Sequence, residues 1–231
     1  MNLKVSLLSM LFVENGIQGY NMVKGVIFDL DGVLVHTDML HYKAWKALAD
    51  ELGIYFDKEI NNKLRGVSRM ESLEIILANS NKIFSEEEKV ALAEKKNNIY
   101  RELLSTITSN DLVDGSVELI NYLKNKNIKV AIGSSSKNTK YILTRLGIID
   151  MFDAISDGNN IKNSKPDPEV FLKAAEFLNL EPAMCMVVED AKAGIDAARR
   201  GGFENFGIGD ASKYEFTNYP IHSLLDIKKI I

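Results

Sequence analysis

The chain of 231 residues has a hydrophobic share of 46% and a charged share of 26%, the proportions of an ordinary soluble globular protein. Its length accommodates one domain or two unequal ones. A net charge of −4 gives no general basic surface, so we expect no nucleic-acid partner. Cys185 is the only cysteine, which excludes an internal disulfide and indicates a reducing, cytoplasmic environment.

The first 21 residues contain an apolar stretch after Lys4 that is too short to span a bilayer. The stretch lacks the small-residue cleavage site of a secretory signal peptide. We therefore interpret residues 1–21 as a leader or a mis-assigned start, with translation beginning at Met22, and we expect no membrane partner.

The next part of the chain begins with a strand and continues with helices. Val23 to Leu30 is short, almost wholly apolar and followed by a turn signal, which predicts a strand buried on both faces. From Asp38 onward the apolar residues recur at helical spacing. Ser85 and the three glutamates after it are typical of a capped helix start. The predicted helices are His41–Gly53, Lys58–Leu64, Met70–Ala78 and Glu86–Leu104.

After Gly115 helices and strands alternate, which is typical of a parallel sheet with helices on both faces. The predicted helices are Val117–Lys126, Asn138–Leu146, Pro168–Leu178 and Ala191–Arg200. The predicted strands are Ile128–Ser134, Phe152–Ser156, Met184–Glu189 and, as the last one, Phe206–Ile208. The fold class is therefore α/β, with a doubly wound, Rossmann-like core at residues 22–34 and 111–231 and an inserted α-helical cap at residues 35–110.

Asp29 and Asp31 end the first strand and raise the question of their chemistry. An EF-hand is excluded because, with Asp29 as position one, positions five and twelve are Val33 and Leu40. A simple turn explains Gly32 but not two acids at the end of a buried strand. A carboxylate in a crevice can act as a covalent nucleophile for phosphoryl groups. Such chemistry needs a magnesium ion and cationic side chains to offset the repulsion between anions.

Other strand ends supply the remaining groups for this chemistry, since ligands bind beyond the carboxyl ends of parallel strands. Glu189 and Asp190 suit a magnesium ion, although an exposed acidic loop or an N-cap role for Asp190 is the alternative. The segment 133–138, GSSSKN, suits a phosphate group, although serine-rich N-caps are more often structural. Lys165 stands before a predicted helix, where an isolated lysine is by default solvated. Together the segments point to phosphoryl transfer.

With these motifs in this order, the sequence resembles the haloacid dehalogenase (HAD) superfamily of phosphotransferases, and within it the β-phosphoglucomutase family. The resemblance runs from about Met22 almost to the C-terminus, and the cap stretches HYKAWKALADELGI, LRGVSRMESL and AEKKNNIY carry its narrower part. It implies a magnesium-dependent isomerase that interconverts β-D-glucose 1-phosphate and glucose 6-phosphate through an aspartyl phosphate and β-glucose 1,6-bisphosphate. A sugar-phosphate phosphatase is the alternative, and a non-catalytic sugar-phosphate sensor is less favoured. We expect sugar phosphates as ligands and a monomer.

The resemblance implies specific roles in the core. Asp29 would be the nucleophile and a magnesium ligand, and Asp31 the general acid and base, with its backbone carbonyl on the metal. Asp190 would complete the metal site, with Glu189 a ligand or immediately behind it. The groups implied to hold the phosphoryl group or to line the phosphate and sugar side are Ser134, Lys165, Ser135, Lys137 and Asn138.

The resemblance also implies roles in the cap. Arg69 would bind the distal phosphate, His41 and Lys96 would link cap closure to Asp31, and Thr37 would lie at the hinge. Simpler alternatives are that Lys96 and the arginines are solvated, that His41 lies on a helix surface and that Trp45 only packs the cap. The further residues assigned to substrate binding are Trp45, Arg65, Gly66, Val67, Ser68 and Ser72.

Three positions depart from the family pattern. Arg65 stands where a lysine is expected, which keeps the charge but changes the geometry of the donors. His36 stands where such sequences often carry aspartate, and we assign it no role. Ser135 replaces an alanine, and its extra hydroxyl is expected to alter contacts with the sugar.

Overall fold

The structure, a computed structural model, describes residues 23–231; the predicted leader at residues 1–21 and the start at Met22 lie outside the described residues. Six parallel strands form one sheet in the order β3-β2-β1-β4-β5-β6. Their bounds are β1 Gly25–Phe28, β2 Lys129–Gly133, β3 Ala154–Ser156, β4 Cys185–Glu189, β5 Glu204–Gly207 and β6 Tyr219–Pro220. The predicted parallel α/β core is confirmed.

The first strand, β1, lies at the centre of the sheet, between β2 and β4. Phe28 pairs with Ile132 on one side and with Val188 on the other, so the three strands end at the same level. The direction of the chain through the sheet reverses at β1, and crevices form at such switch points. The residues that follow these strands therefore meet at one edge of the sheet.

Helices cover both faces of the sheet, which explains why β1 is apolar at every position. Val26 and Phe28 pack on the face of α5 and α6, whereas Ile27 packs on the face of α7 and α8. The bounds are α5 Ser116–Asn125, α6 Thr139–Leu146, α7 Glu169–Leu178 and α8 Lys192–Arg200. Cys185 is buried on the second face, where it packs among apolar side chains.

Four helices lie between β1 and the rest of the core. They are α1 Asp38–Glu51, α2 Lys58–Asn62, α3 Arg69–Leu77 and α4 Glu86–Leu104. Trp45, Leu48, Phe56 and Leu73 belong to their own apolar cluster. Tyr100 of α4 joins the cluster under the sheet instead, and this contact ties the cap to the core. The exact domain boundaries stay predictions.

The structure differs from the predicted elements mainly at the end of the chain. The predicted last strand is in fact β5, which begins earlier, at Glu204, and is followed by the unpredicted edge strand β6. A 3-10 helix at Leu224–Lys229 then packs against α5. None of the helices within residues 23–231 is long and apolar enough to cross a membrane.

Candidate active site

A crevice of about 550 Å³ lies between the carboxyl ends of the central strands and the helical cap. Its volume is in the range of small-molecule sites. Asp29, Asp31 and Lys165 line it from the core, and His41 and Arg69 line it from the cap. Segments that are far apart in sequence thus meet at one site, at the sheet edge where the strand-end rule places it.

Lys165 joins two of the strand-end carboxylates. Its Nζ atom donates hydrogen bonds to Asp29 Oδ1 at 2.8 Å and to Glu189 Oε1 at 2.7 Å, and its side chain is 1% exposed. Burial alone would lower the pKa of the ammonium group, but the two carboxylates raise the pKa above its ordinary value. Lys165 is therefore a fixed cation beside Asp29, and the default interpretation as a solvated surface lysine is wrong.

Asp29, Glu189 and Asp190 form a buried acidic cluster, with one oxygen atom from each lying within 4.8 Å of the others. Desolvation by burial raises the pKa of Asp29 and of Asp190, and the neighbouring carboxylates add to both shifts. The three carboxylates offer oxygen ligands, and Lys165 does not offset all of their negative charge. Such a set of ligands suits a hard divalent cation. The residues therefore fit a divalent metal ion.

Gly32 allows the cluster to approach the turn after β1. Its φ of +84° favours glycine, and a Cβ atom at this position would lie 1.9 Å from Asp190 Oδ2. The turn interpretation of Gly32 and the functional interpretation of the neighbouring acids are thus compatible.

Asp31 lies outside the cluster of metal-facing carboxylates, because its side chain turns toward the cap hinge. Thr37, which is fully buried, donates a hydrogen bond to Asp31 Oδ1. Burial raises the pKa of Asp31 to about 6, and the bond from Thr37 opposes this shift. A carboxyl with such a pKa can hold or release a proton near neutral pH. The predicted contact of its backbone carbonyl with the metal stays a prediction.

The serine-rich segment after β2 is folded by its own side chains. Ser134 Oγ accepts a hydrogen bond from the Ser136 amide, and Ser136 Oγ accepts one from the Asn138 amide. Ser135 Oγ is buried and has no hydrogen-bond partner among the described residues, although Ser135 lines the crevice. Lys137 also lines the crevice and is exposed.

In the cap, the buried Lys96 contacts the half-buried His41, with Lys96 Nζ 3.1 Å from His41 Nδ1. The ammonium group also lies 4.6 Å from the Trp45 ring centroid and 4.5 Å from that of Tyr100. Burial and, to a smaller extent, the nearby Arg69 lower the pKa of Lys96 to about 7, while Asp31 opposes this shift. The interpretation of Lys96 as a solvated residue is therefore wrong. Trp45 packs the cap and lines the crevice as well.

The loop between α2 and α3 brings two arginines to the crevice. Arg65 donates hydrogen bonds to Asp190 through Nη2 and to Asp210 Oδ2 through Nη1, the latter at 3.0 Å. Arg69 begins α3 and lies 3.6 Å from Glu94. Both guanidinium groups are mostly buried, so the alternative in which they are solvated is wrong. Gly66, Val67, Ser68 and Ser72 line the crevice beside them.

One local alternative is wrong, and one crevice residue also has a structural contact. Asp190 is not the N-cap of α8, because Ala191 occupies that position and the Glu189 carboxylate accepts the Ala191 amide at 2.7 Å. Ser68 lines the crevice, but its hydroxyl accepts the Glu71 amide and caps α3.

Several residues at the crevice were not singled out from the sequence. Asn97 Oδ1 accepts a hydrogen bond at 2.9 Å from Asn138 Nδ2, a direct contact between cap and core. Tyr100 lies four residues after Lys96 on α4, so helical spacing was a signal that could have found it. The others are Asp38, Asn61, Leu64, Met70, Val90, Ala93, Glu94, Ser136, Gly158, Ile161, Lys162 and Ser164.

Comparisons with known proteins agree with this fold and site. The family model for haloacid dehalogenase-like hydrolases matches residues 23–202. The chain belongs to this family, so the recognition made from the sequence is confirmed.

Relatives within the family include mutases and phosphatases. The chain is 45% identical to the β-phosphoglucomutase of Bacillus subtilis over 189 residues, which cover 81% of this chain and 84% of that one. It is 32% identical to a phosphorylated carbohydrates phosphatase of Thermotoga maritima, over 90% of each chain. The crystal structure of β-phosphoglucomutase from Clostridium difficile matches with a TM-score of 0.87 and 44% identity, over 90% of this chain and 96% of that one.

Proposed function

We propose that the protein is a β-phosphoglucomutase, which interconverts β-D-glucose 1-phosphate and glucose 6-phosphate. The observation that carries the proposal is the presence of fixed cations on both walls of one crevice, Lys165 in the core and Arg69 in the cap. A mutase must hold a sugar bisphosphate by both phosphoryl groups, whereas a phosphatase needs to hold only the reacting one. The similarity to two β-phosphoglucomutases at 44% and 45% identity supports the same choice.

In this mechanism the phosphorylated Asp29 transfers its phosphoryl group to the C6 hydroxyl of β-glucose 1-phosphate. Asp31 accepts the hydroxyl proton, and β-glucose 1,6-bisphosphate forms. The bisphosphate then reorients and returns the C1 phosphoryl group to Asp29, while Asp31 gives its proton to the C1 oxygen. Glucose 6-phosphate leaves, and Asp29 is phosphorylated again.

The cations and hydroxyls of the core bind the reacting phosphoryl group. Lys165 and Ser134 hold its oxygens, and Ser135, Lys137 and Asn138 face the phosphate and the sugar. When bound, Mg²⁺ supplies charge neutralisation at this position. Its proposed ligands are Asp29, Asp190 and the Asp31 carbonyl, with Glu189 as a ligand or directly behind.

The cap would allow transfer to sugar and restrict transfer to water. Arg69 binds the distal phosphate, and Arg65, Gly66, Val67, Ser68, Ser72 and Trp45 surround the sugar. His41 and Lys96 relate cap closure to Asp31, whose carboxyl is bonded to Thr37 beside the hinge. Asp31 is thereby aligned when sugar phosphate occupies the crevice.

The proposal is tested with β-D-glucose 1-phosphate, Mg²⁺ and a catalytic amount of β-glucose 1,6-bisphosphate. We expect glucose 6-phosphate to form without stoichiometric release of inorganic phosphate. Asp29→Asn should abolish both turnover and incorporation of a labelled phosphoryl group into the protein. Label that still appears on the Asp29→Asn variant would refute the nucleophile assignment.

A sugar-phosphate phosphatase is the second candidate, because the Thermotoga relative is a phosphorylated carbohydrates phosphatase and is 32% identical over 90% of this chain. Release of inorganic phosphate without glucose 6-phosphate would favour it over the mutase. Binding of the sugar phosphate with no turnover would favour a non-catalytic sensor. We further propose a cytoplasmic monomer; the buried Cys185, whose pKa burial raises to about 11, is consistent with a reducing compartment.

A further inference from the structure

Arg65 connects the cap to two separate loops of the core. Its Nη2 donates to Asp190, which follows β4, and its Nη1 donates to Asp210, which follows β5. The Arg65 side chain is 24% exposed, whereas that of Asp210 is 83% exposed. The contact with Asp190 belongs to the acidic cluster already described, but Asp210 lies outside the crevice and has no part in the proposed chemistry.

The two acceptors of Arg65 are held in fixed relation by the backbone. The Ala211 amide donates to the Asp190 carbonyl at 3.1 Å, and the Ile208 amide donates to the Glu189 carbonyl at 2.9 Å. Asp210 lies between these two amide donors, in a 3-10 helix at Gly209–Lys213. Arg65 reaches both of these carboxylates from the cap.

Arginine suits this position better than the lysine expected there. A guanidinium group presents donors in a planar fork, so two nitrogens can each bind a different carboxylate. A lysine ammonium group is a single point charge on a flexible chain, and one nitrogen atom would have to serve both acceptors. The departure at Arg65 therefore has a structural counterpart in Asp210.

We propose that Asp210 is a positioning residue, which holds the Arg65 fork against Asp190 and thereby stabilises the cap in its closed position over the crevice. The pair acts as a latch: opening of the cap breaks the contact between Arg65 and Asp210, and closure restores it. A latch of this kind strengthens ligand binding, since sugar phosphate binds the closed form. The inference rests on the proposed function only for the identity of this ligand.

The test is a double-mutant cycle with Arg65→Lys, Asp210→Asn and the double variant, in the full chain with Mg²⁺. Binding of glucose 6-phosphate is followed through Trp45, the only tryptophan, which lines the crevice. Because Asp210 is exposed, each single variant should raise the Kd by roughly two- to fivefold. The double variant should weaken binding no further than Arg65→Lys alone, because both changes break the same contact, that between Arg65 and Asp210. Asp150→Asn, an exposed aspartate far from Arg65 in sequence, is the matched control.

The dependence of Kd on salt and the steady-state kinetics are two further measurements. Neither would change if Asp210 only stabilised its own loop. High salt should remove the difference in Kd between the wild type and Asp210→Asn, because screening weakens an exposed ion pair. Asp210→Asn should raise KM for β-glucose 1-phosphate and leave kcat and the unfolding temperature near those of Asp150→Asn. An unchanged Kd for Asp210→Asn, or multiplicative effects in the double variant, would overturn the latch.

The latch and the mutase proposal fail in different ways. If the expected Kd pattern appears but turnover releases only inorganic phosphate, the latch stands and the mutase assignment is wrong. If glucose 6-phosphate is the product but the Kd does not depend on Asp210, the mutase stands and the latch is wrong.

Discussion

The half-buried His41 and the buried Lys96 lie side by side in the cap, and both have lowered pKa values. Burial lowers the pKa of His41 well below 6.5, and the positive charges of Lys96 and Arg69 lower it further. Neutral His41 can accept a hydrogen bond from Lys96 through Nδ1. Protonation of His41 is therefore expected to lower the free energy of unfolding.

Replacing His41 with asparagine should make the protein less sensitive to mild acid. The unfolded chain protonates this histidine near pH 6.5, whereas the folded chain does not, so its contribution to stability is present above about pH 6.5 and lost as pH falls. Between about pH 7.5 and about pH 5.5 the wild type should lose about 1 kcal/mol more unfolding free energy than His41→Asn. Urea unfolding at several pH values measures this difference.

The exposed His222 provides the control, since His222→Asn should follow the wild-type pH dependence. Parallel curves for the wild type and His41→Asn would show that His41 is not held neutral in the folded chain.

Arg69 is proposed to bind the distal phosphate, and Arg69→Ala should separate this role from the chemistry. Loss of charge-assisted hydrogen bonds should reduce kcat/KM for β-glucose 1-phosphate by roughly 10- to 100-fold. Phosphorylation of Asp29 by acetyl phosphate, which has no distal phosphate, should change little. Steady-state kinetics with the two phosphate donors measure the contrast.

Arg69→Lys should have a kcat/KM for β-glucose 1-phosphate between those of the wild type and Arg69→Ala, because lysine keeps the charge but lacks the planar fork of donors. Arg101→Ala removes an arginine in the last turn of α4 that stacks on Tyr141, and neither rate should change. Equal losses with both donors in Arg69→Ala would mean that Arg69 does not bind the distal phosphate.

The core site could be predicted from sequence because its residues follow apolar strands directly. Asp29 and Glu189 are placed by strand ends, which local patterns reveal. The burial of Lys96 and the contact between Asn97 and Asn138 depend on how α4 packs over the core. A charged run such as EKK gives no local sign of that packing, so the sequence favoured a solvated face.

At the scale of elements, helices were predicted well where caps define their ends. The helix at Glu86–Leu104 has the predicted bounds, because Ser85 and Glu88 form a capping box. The strand β6 was missed because it has two residues, one of them a proline, at the edge of the sheet. Its place is set by pairing with β5, which no pattern within the segment encodes.

Two matched capping boxes in the cap allow the local role of α3 to be tested. Ser68 with Glu71 begins α3, and Ser85 with Glu88 begins α4. Ser68→Ala and Ser85→Ala should each lower the unfolding free energy by about 1 kcal/mol. Only Ser68→Ala should also raise KM for sugar phosphate several-fold, because Arg69 is the first residue of α3.

The two variants serve as controls for each other, with unfolding in urea and steady-state kinetics as the measurements. An equal rise in KM for both would mean that general loosening of the cap, rather than the start of α3, weakens substrate binding.

At the scale of the whole molecule, one buried acidic cluster joins the two halves of the sheet. Asp29 follows β1, whereas Glu189 ends the neighbouring strand β4 and Asp190 follows it. Burial raises the pKa of Asp29 and of Asp190, and repulsion by the neighbouring carboxylates adds to both shifts. A raised carboxyl pKa means that ionisation destabilises the folded state as pH rises from the ordinary value near 4. A bound divalent cation should reverse this effect.

Asp190→Asn should therefore change stability in opposite directions with and without metal. In a chelator near pH 7.5, the variant should unfold at the same temperature as the wild type or above it, because it lacks a carboxyl whose ionisation burial disfavours. With Mg²⁺ at about 100 times its Kd, the wild type should gain about 3 kcal/mol, or roughly 5–10 °C in unfolding temperature, and the variant much less.

Asp157→Asn is the matched control, because Asp157 is a buried aspartate at the end of β3 that lies outside the cluster. Its shift on adding Mg²⁺ should equal that of the wild type. An equal shift in Asp190→Asn would remove Asp190 from the metal site. A wild type that does not respond to Mg²⁺ or to a chelator would mean that the cluster does not hold this ion. The repulsion among its carboxylates would then have to be offset by Lys165 and Arg65, the cations that contact them directly.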